Sequence, residues 1–495
     1  MLHLLPRRLA ICKETGIILI LLKRESKVNC KLASVLRHFF SLFPLVLMIT
    51  FSGGCAGLPP ASEAIHDVLS THEAPEVFSA EGPLSPEKSK ALIEQLKSSV
   101  APTDFLERHI AVMEFLGGSP LIKGNKVKLL VDGPATYNAM FRAIQNARKH
   151  INIETFIIED DEAGHKLADL LVRKRARGVQ VNLIYDSYGS SGTPDSFFQR
   201  LRDNRINVVA FNPMNPLNII GKRRVTYRDH RKILIVDGSL AITGGVNFSK
   251  VYSSRPSGGE REEKTQLPWR DTDVQIEGPA VAEFQKLFLD TWEKQKGTTL
   301  RKRKFFPHLK EKGTDLVQVI GSVSGEENRT TFIMYVSAIS FAANSIHLTN
   351  AYFAPDEQTI RALIDAARRG IDVRIIVPGT SDIPLALYAG QYYYSDLLDA
   401  GVKLYQRRNV ILHAKTAVID GVWSTVGSTN MDFWSFAVND EVNAIILGSE
   451  FARKMEELFA KDVAESDQIQ KEQWEKRPLD SRMREFLAHL LARLL

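Results

Sequence analysis

Cysteine is nearly missing from this chain. Of 495 residues only three are Cys, and all of them, Cys12, Cys30 and Cys55, fall within the first 55 positions. No disulfide framework and no cysteine-based metal centre can therefore hold the rest of the chain together. Long apolar runs are missing as well. The most apolar stretch, Phe39 to Phe51, is about 13 residues long, short of the roughly 20 that a membrane-crossing helix needs. His and carboxylate residues form no cluster with metal-ligand spacing, so the sequence calls for no metal and no other cofactor. An acidic balance is missing too. Lys and Arg outnumber Asp and Glu by 64 to 58, a net charge of +6. That suits an anionic membrane surface or nucleic acid, and composition does not choose between them.

What is present is length, apolar content and a repeat. The chain exceeds one ordinary domain, and 44% hydrophobic residues supply two full-sized cores. His230-Arg231-Lys232-Ile233-Leu234-Ile235-Val236-Asp237 and His413-Ala414-Lys415-Thr416-Ala417-Val418-Ile419-Asp420 share the pattern H-x-K-x4-D, and a Gly follows each Asp. An Asn stands at the same distance past each His: Asn247 in Gly244-Gly245-Val246-Asn247, and Asn430 in Gly427-Ser428-Thr429-Asn430. One such copy reads as a half-exposed strand, but two with identical spacing are a poor match to chance. Alternate residues of a strand share a face, so each His and its Lys project to one side. Two such strands meeting across an internal two-fold would set two imidazoles and two ammonium groups around one anion. That arrangement suits a phosphodiester. Asp237 and Asp420 lie seven residues past their His; this odd number turns them away and assigns them structural work.

The pair resembles the duplicated HKD signature of the phospholipase D superfamily. The surrounding wording resembles bacterial cardiolipin synthases of the phospholipase D type. It is carried by Asp229-His230-Arg231-Lys232, Trp269-Arg270-Asp271, Gly278-Pro279-Ala280-Val281, Ala351-Tyr352-Phe353-Ala354-Pro355 and Val426-Gly427-Ser428-Thr429-Asn430-Met431-Asp432. The resemblance implies an α/β fold: two similar phospholipase D-like α/β sandwich domains in one chain, with a pseudo-two-fold active site. It implies transfer of a phosphatidyl group from one phosphatidylglycerol to another, releasing glycerol, through a phosphohistidine. His230 is then the nucleophile and His413 the acid and base. Lys232, Lys415, Asn247 and Asn430 bind the phosphate, and Asp273 and Glu441 orient the imidazoles. The signature counts Asp237 and Asp420 with the catalytic set. Alternatives using the same centre are a phospholipase that releases phosphatidic acid, a nuclease, and a lipid-binding protein without turnover. A membrane tether disfavours nucleic acid as a partner. Tyr392-Tyr393-Tyr394 is a candidate lining for an acceptor pocket.

Strand-like and helix-like stretches alternate through both halves. Arg177-Gly178-Val179-Gln180-Val181 and Arg369-Gly370-Ile371-Asp372-Val373 form the clearest local echo between them, and the pattern predicts buried α/β sheets. Boundaries are expected as follows: a signal region over 1–54, a tether and helical lead-in over 55–125, the first domain over 126–296, a basic linker over 297–316, the second domain over 317–465, and a C-terminal amphipathic helix over 466–495. The apolar run before Ser52-Gly53-Gly54-Cys55-Ala56-Gly57 resembles a bacterial lipoprotein signal, with Cys55 the lipidated residue and Ser52 where Leu is usual. It stands in place of the family's two N-terminal membrane helices and implies a membrane-anchored protein of the cell envelope, facing the periplasm. Residues 1–30 sit awkwardly before such a signal, so a true start near Val28 is expected. Arg301-Lys302-Arg303-Lys304 in the linker is read as a linker or a headgroup contact. Met483, Phe486, Leu487, Leu490, Leu491 and Leu494 are expected on one face of the last helix.

Overall fold

Apolar strands that alternate with amphipathic helices must be covered on both faces of their sheet, and this chain solves that problem twice with one strand order. A computed structural model describes residues 58–492 apart from 64, 66–74, 99–104, 117–118, 214–225, 255–266, 301–304 and 326–328. The signal region, Cys55, Leu494 and the basic run 301–304 lie outside the described residues.

The first half runs β1 (Leu121–Val131), α1 (Asp132–Asn146), β2 (His150–Thr155), α2 (Glu162–Ala176), β3 (Gln180–Asp186), α3 (Asp195–Asp203), β4 (Asn207–Phe211), β5 (Arg228–Asp229), β6 (Ile233–Val236), β7 (Leu240–Gly244), β8 (Trp269–Arg270), β9 (Thr272–Glu277) and α4 (Val281–Lys294). The second runs β10 (Asp315–Ser322), α5 (Thr330–Phe341), β11 (Ser345–Asn350), α6 (Glu357–Arg368), β12 (Asp372–Pro378), α7 (Pro384–Gln391), β13 (Lys403–Arg407), β14 (Ile411–Leu412), β15 (Lys415–Ile419), β16 (Trp423–Gly427), β17 (Asn439–Leu447) and α8 (Ser449–Ala464), and the chain reaches α9 (Leu479–Leu490). Neighbouring strands in the first sheet are β1-β9-β7-β6-β2-β3-β4. In the second they are β10-β17-β16-β15-β11-β12-β13. The central strands β2 and β3 are buried along their whole length, and their buried asparagines are paired: Asn182 Nδ2 donates to Asn152 Oδ1 and Asn152 Nδ2 to Gln285 Oε1.

Local chemistry repeats with the topology. Asp161 caps α2 by accepting from the Ala163 and Gly164 amides, and Asp356 caps α6 by accepting from those of Gln358 and Thr359. Each helix ends at a glycine with positive φ, Gly178 at 84° and Gly370 at 90°, where a left-handed residue closes the last turn. The Arg-Gly echo in the sequence is therefore a repeated helix stop.

One apolar core belongs to the first half and another to the second, and a third takes residues from both, among them Ile233, Val274, Phe288, Val319, Val418 and Val442. Strand β1 starts at Leu121, earlier than the expected 126, because it serves both sheets. It bends at Gly124, whose φ is 87°, a turn that favours glycine. Ile122 and Asn125 then pair with β10, while 126–131 pair with β9. The lead-in helices Pro86–Ser98 and Phe105–Phe115 form as expected, and the second packs on the second half: His109 Nδ1 is 3.0 Å from Ser337 Oγ and its ring meets Trp423 edge-on. Among the described residues no helix is long and apolar enough to cross a membrane.

Candidate active site

Each histidine motif enters the site from the opposite half. Short strand β5 runs parallel to the start of β17, pairing Arg228 with Asn439 and Asp229 with Asp440. Short strand β14 runs parallel to β8 in the same way, pairing Ile411 with Trp269 and Leu412 with Arg270. The next amides continue the pattern: His230 N–H donates to Asp440 O at 2.9 Å, and His413 N–H donates to Arg270 O at 2.8 Å. Beyond each His the chain returns to its own sheet as β6 or β15. The histidines thus sit at crossovers rather than inside one continuous strand. The expectation that His and Lys share a side still holds. The Phe156 ring lies 5.0 Å from the His230 ring and 5.3 Å from Lys232 Nζ, and Tyr352 stands 6.2 Å from His413 and 5.7 Å from Lys415 Nζ.

The carboxylates cross over as well. His230 Nδ1 lies 3.0 and 3.1 Å from the two oxygens of Glu441, as expected for the orienting partner. His413 Nδ1 lies 2.7 Å from Asp271 Oδ2. Asp271, not Asp273, is therefore the partner of His413. The two aspartates share a face of their strand, and register separates them. Asp273 sits opposite Gly244 inside the sheet, as Asn443 sits opposite Gly427. Asp271 lies two residues earlier, at the place Glu441 holds in the other half. Asp273 accepts instead from the Thr136 hydroxyl at 3.2 Å. Burial and the neighbouring Asp271 charge push its carboxyl well above the ordinary range.

An ionised carboxylate only accepts, so each Nδ1 carries a proton, which leaves each Nε2 as the ring nitrogen that can hold a lone pair or a second proton. Burial lowers His230 to about 4 against the opposing pull of Glu441, and it lowers His413 as well. Burial would raise Glu441 and Asp271, but the charges and hydrogen bonds of their histidines hold both below their usual values. Burial brings Lys232 down to about 7 and Lys415 to about 8. Each ammonium also depresses the imidazole of the other half, so all four groups act on one region. Each Nζ donates to the carbonyl of its own His, which pins the lysine beside the ring.

Asn247 and Asn430 are buried. Asn247 Nδ2 donates to the Tyr252 hydroxyl at 3.2 Å, and that oxygen is 3.3 Å from His413 Nδ1, so the first-half Asn reaches the second-half His. Asn430 Oδ1 has no hydrogen-bond partner among the described residues. Asp237 and Asp420 do not reach the site, which corrects their place in the catalytic set. Asp237 accepts from the amides of Arg148, Lys149 and His150 at 2.6–3.0 Å, and Asp420 accepts from those of Ala343, Asn344 and Ser345 at 2.7–2.9 Å. Each ties the turn before β2 or β11 to the hairpin that follows the motif. Tyr392-Tyr393-Tyr394 do not line the site: Tyr394 packs on Trp474, and Tyr392 stacks on His489.

Sequence reasoning also missed Arg231. Its guanidinium is fully buried, donating to Glu441 O (3.1 Å), Thr291 Oγ1 (2.9 Å) and Ser322 O (2.6 Å) and lying 3.4 Å from Glu154. It holds the strand that carries Glu441. A position between His and Lys in a strand predicts an outward residue, and only the strand crossing makes this one internal.

Comparison with known proteins agrees with this geometry. Residues 140–255 and 335–463 match the family described as "Cardiolipin synthase, PLD-like domain". A cardiolipin synthase of Geobacillus sp. (strain WCH70) is 34% identical over 382 residues, covering 77% of this chain and 74% of the relative. One from Listeria monocytogenes serotype 4a (strain HCC23) is 35% identical over 382 residues, covering 76% and 77%. Among solved structures, the phosphatidylserine synthase of Haemophilus influenzae Rd KW20 superposes with a TM-score of 0.56 at 14% identity, over 77% of this chain and 98% of that one, a likeness of fold alone. With two intact motifs braced across a pseudo-two-fold axis and kinship along three quarters of its length, the chain belongs to the phospholipase D superfamily, among the cardiolipin synthase-like proteins.

Proposed function

We propose that the protein makes cardiolipin from two phosphatidylglycerols. The observation that carries the reading is the reciprocal bracing of two motif histidines, each with Nδ1 on the other half's carboxylate and each imidazole under the charge of both lysines. His230 Nε2 attacks the phosphorus of the first phosphatidylglycerol, and the P–O bond to the terminal glycerol breaks. His413, entering this step with a proton on Nε2 as well as on Nδ1, gives that glycerol the Nε2 proton. A hydroxyl of the second phosphatidylglycerol then loses its proton to His413, and its oxygen attacks the phosphohistidine, freeing His230. Lys232 and Lys415, with the amides of Asn247 and Asn430, meet the charge that builds on the non-bridging oxygens.

One feature supports the phosphohistidine and a second supports transfer from it. His230 is neutral at pH 7, because burial lowers it to about 4, and only a neutral ring is a nucleophile. Aromatic rings crowd the acid and base: Tyr252, Trp269 and Tyr352 stand 5.0–6.2 Å from the His413 ring or from one another, and such walls favour a positioned alcohol over water. The protein is tethered at the envelope through a lipidated Cys55, with its body at a phospholipid surface and nucleic acid not a partner.

The deciding experiment incubates the purified protein with vesicles of labelled phosphatidylglycerol and separates products by mass. Cardiolipin with free glycerol is the expected result. Phosphatidic acid alone makes the protein a hydrolase.

A further inference from the structure

The last helix has two apolar faces, and the protein uses one. Ala488 packs with Ala354 and Ala389, with Leu385, Tyr388 and Ala492 around them. The buried Glu485 is held by Arg477 through Nε and Nη2 at 2.8–3.0 Å, and His489 stacks on Tyr392 with ring centroids 4.1 Å apart. These contacts seat α9 on α7, small residues inward. The single apolar face expected from the sequence is split, because Leu487 and Leu491 turn partly inward while Met483, Phe486 and Leu490 face out.

At 3.6 residues per turn, Leu479, Met483, Phe486 and Leu490 fall within about 60° of one another. They are 73%, 57%, 49% and 58% exposed. Of the four only Phe486 touches the docking side, its ring centroid 6.3 Å from that of Tyr392, and a row of four large apolar side chains this exposed marks a surface that meets something. The margin is basic. Lys476 to Leu490 carries Lys476, Arg477, Arg482 and Arg484 against Asp480 and Glu485, and both acids are paired, with Arg484 and Arg477.

The helix is also joined to the reaction centre. A Cβ on Gly390 of α7 would come 1.9 Å from the Phe353 carbonyl oxygen, so α7 lies directly on that segment. The preceding residue, Tyr352, donates to Asp382 at 2.9–3.0 Å and stands beside Lys415 and His413.

We propose that α9 is an interfacial helix that seats the active site on an anionic bilayer, with Leu479, Met483, Phe486 and Leu490 entering the headgroup boundary. This rests on the reading of the substrate as a bilayer phospholipid. The occupant follows from the apolar stripe, its uncompensated positive margin, and the packed connection from α9 through α7 to the residues around the phosphate.

The test uses the full chain with Cys12, Cys30 and Cys55 replaced by Ser and an environment-sensitive dye on Met483→Cys. Vesicles containing phosphatidylglycerol should shift the dye emission to the blue, with quenching by brominated acyl chains, and phosphatidylcholine vesicles should do so far less. In the otherwise unaltered chain, Met483→Ser with Phe486→Ser should slow turnover of vesicle phosphatidylglycerol by about tenfold or more. Turnover of monomeric dihexanoyl phosphatidylglycerol should stay near that of the parent. An unchanged dye spectrum overturns the proposal. So does a shift that grows with protein concentration without lipid, since a second copy then covers the face. A lipid-dependent shift in a protein that turns over neither substrate upholds the docking surface and removes the substrate reading instead.

Discussion

Around His230, Glu441 takes the ring Nδ1 and also a hydroxyl from Ser428. Around His413, the shorter Asp271 takes the ring, and Gly245 stands where the serine would be. A Cβ at Gly245 would lie 2.2 Å from Asp271 Oδ1. Carboxylate length and the facing residue therefore change together: a longer acid leaves room for a second donor, and a shorter one brings its oxygens against bare backbone. Arg231, buried behind Glu441, has Ala414 as its counterpart. The lesson is that the repeat keeps the frame and varies the packing behind each ring, so two identical side chains stand in different surroundings.

The largest expected effect tests whether the duties of the two histidines differ. His230→Ala and His413→Ala should each lower kcat by about 10⁴-fold or more. With a substrate whose leaving group needs little protonation, His413→Ala should accumulate a phosphohistidine on His230, and His230→Ala should accumulate none. Mass mapping of the adduct to His413 would reverse the roles and keep the frame.

The bracing acids come next. Asp271→Asn and Glu441→Gln should each cost about 10³–10⁴ in kcat, the scale seen when a histidine loses its orienting carboxylate. Asp273→Asn, whose carboxyl is already pushed toward the neutral form, should cost less than about tenfold. Equal losses at 271 and 273 would break the correspondence of Asp271 with Glu441.

A smaller effect lies in pH. The lysines, lowered to about 7 and about 8, carry charge below those values and lose it above them. Binding of tungstate, an inert phosphate mimic, should therefore weaken as pH rises through that window, as calorimetry would show. In Lys415→Met the remaining step should move upward, because the Lys415 charge helps depress Lys232. A flat profile contradicts the burial of both ammoniums.

The smallest change in activity is expected at the two motif aspartates. Asp237→Asn and Asp420→Asn remove a charged acceptor from three amides each and should lower stability by about 1–3 kcal/mol. The buried Asp420 should lie at the upper end and Asp237 lower. Denaturant melts would rank them, with kcat of the folded fraction nearly unchanged.

Much of this was legible before any coordinates. The H-x-K spacing placed both histidines with their lysines, and strand parity turned Asp237 and Asp420 away from the site. The Arg-Gly echo marked equivalent helix ends. What escaped was set by contacts between halves. Asp271 and Asp273 share a strand face, and only sheet register separates them; the longer stretch between Asn247 and β8 hides the match to Glu441. Reading Asp271-Thr272-Asp273 against Glu441-Val442-Asn443 would have found it. Arg231 and the divided faces of α9 depend on what packs against them, which no periodicity carries.

The reciprocal bracing also bears on how the chain is made. His230 has no carboxylate for its Nδ1 until Glu441, 211 positions later, has been synthesised and folded back, and His413 leans on an Asp271 made 142 positions earlier. A ribosome that stalls anywhere between the motifs leaves a product with an unaligned imidazole and half of the phosphate clamp. Both imidazoles are therefore braced only once β17, which carries Glu441, has joined the second sheet.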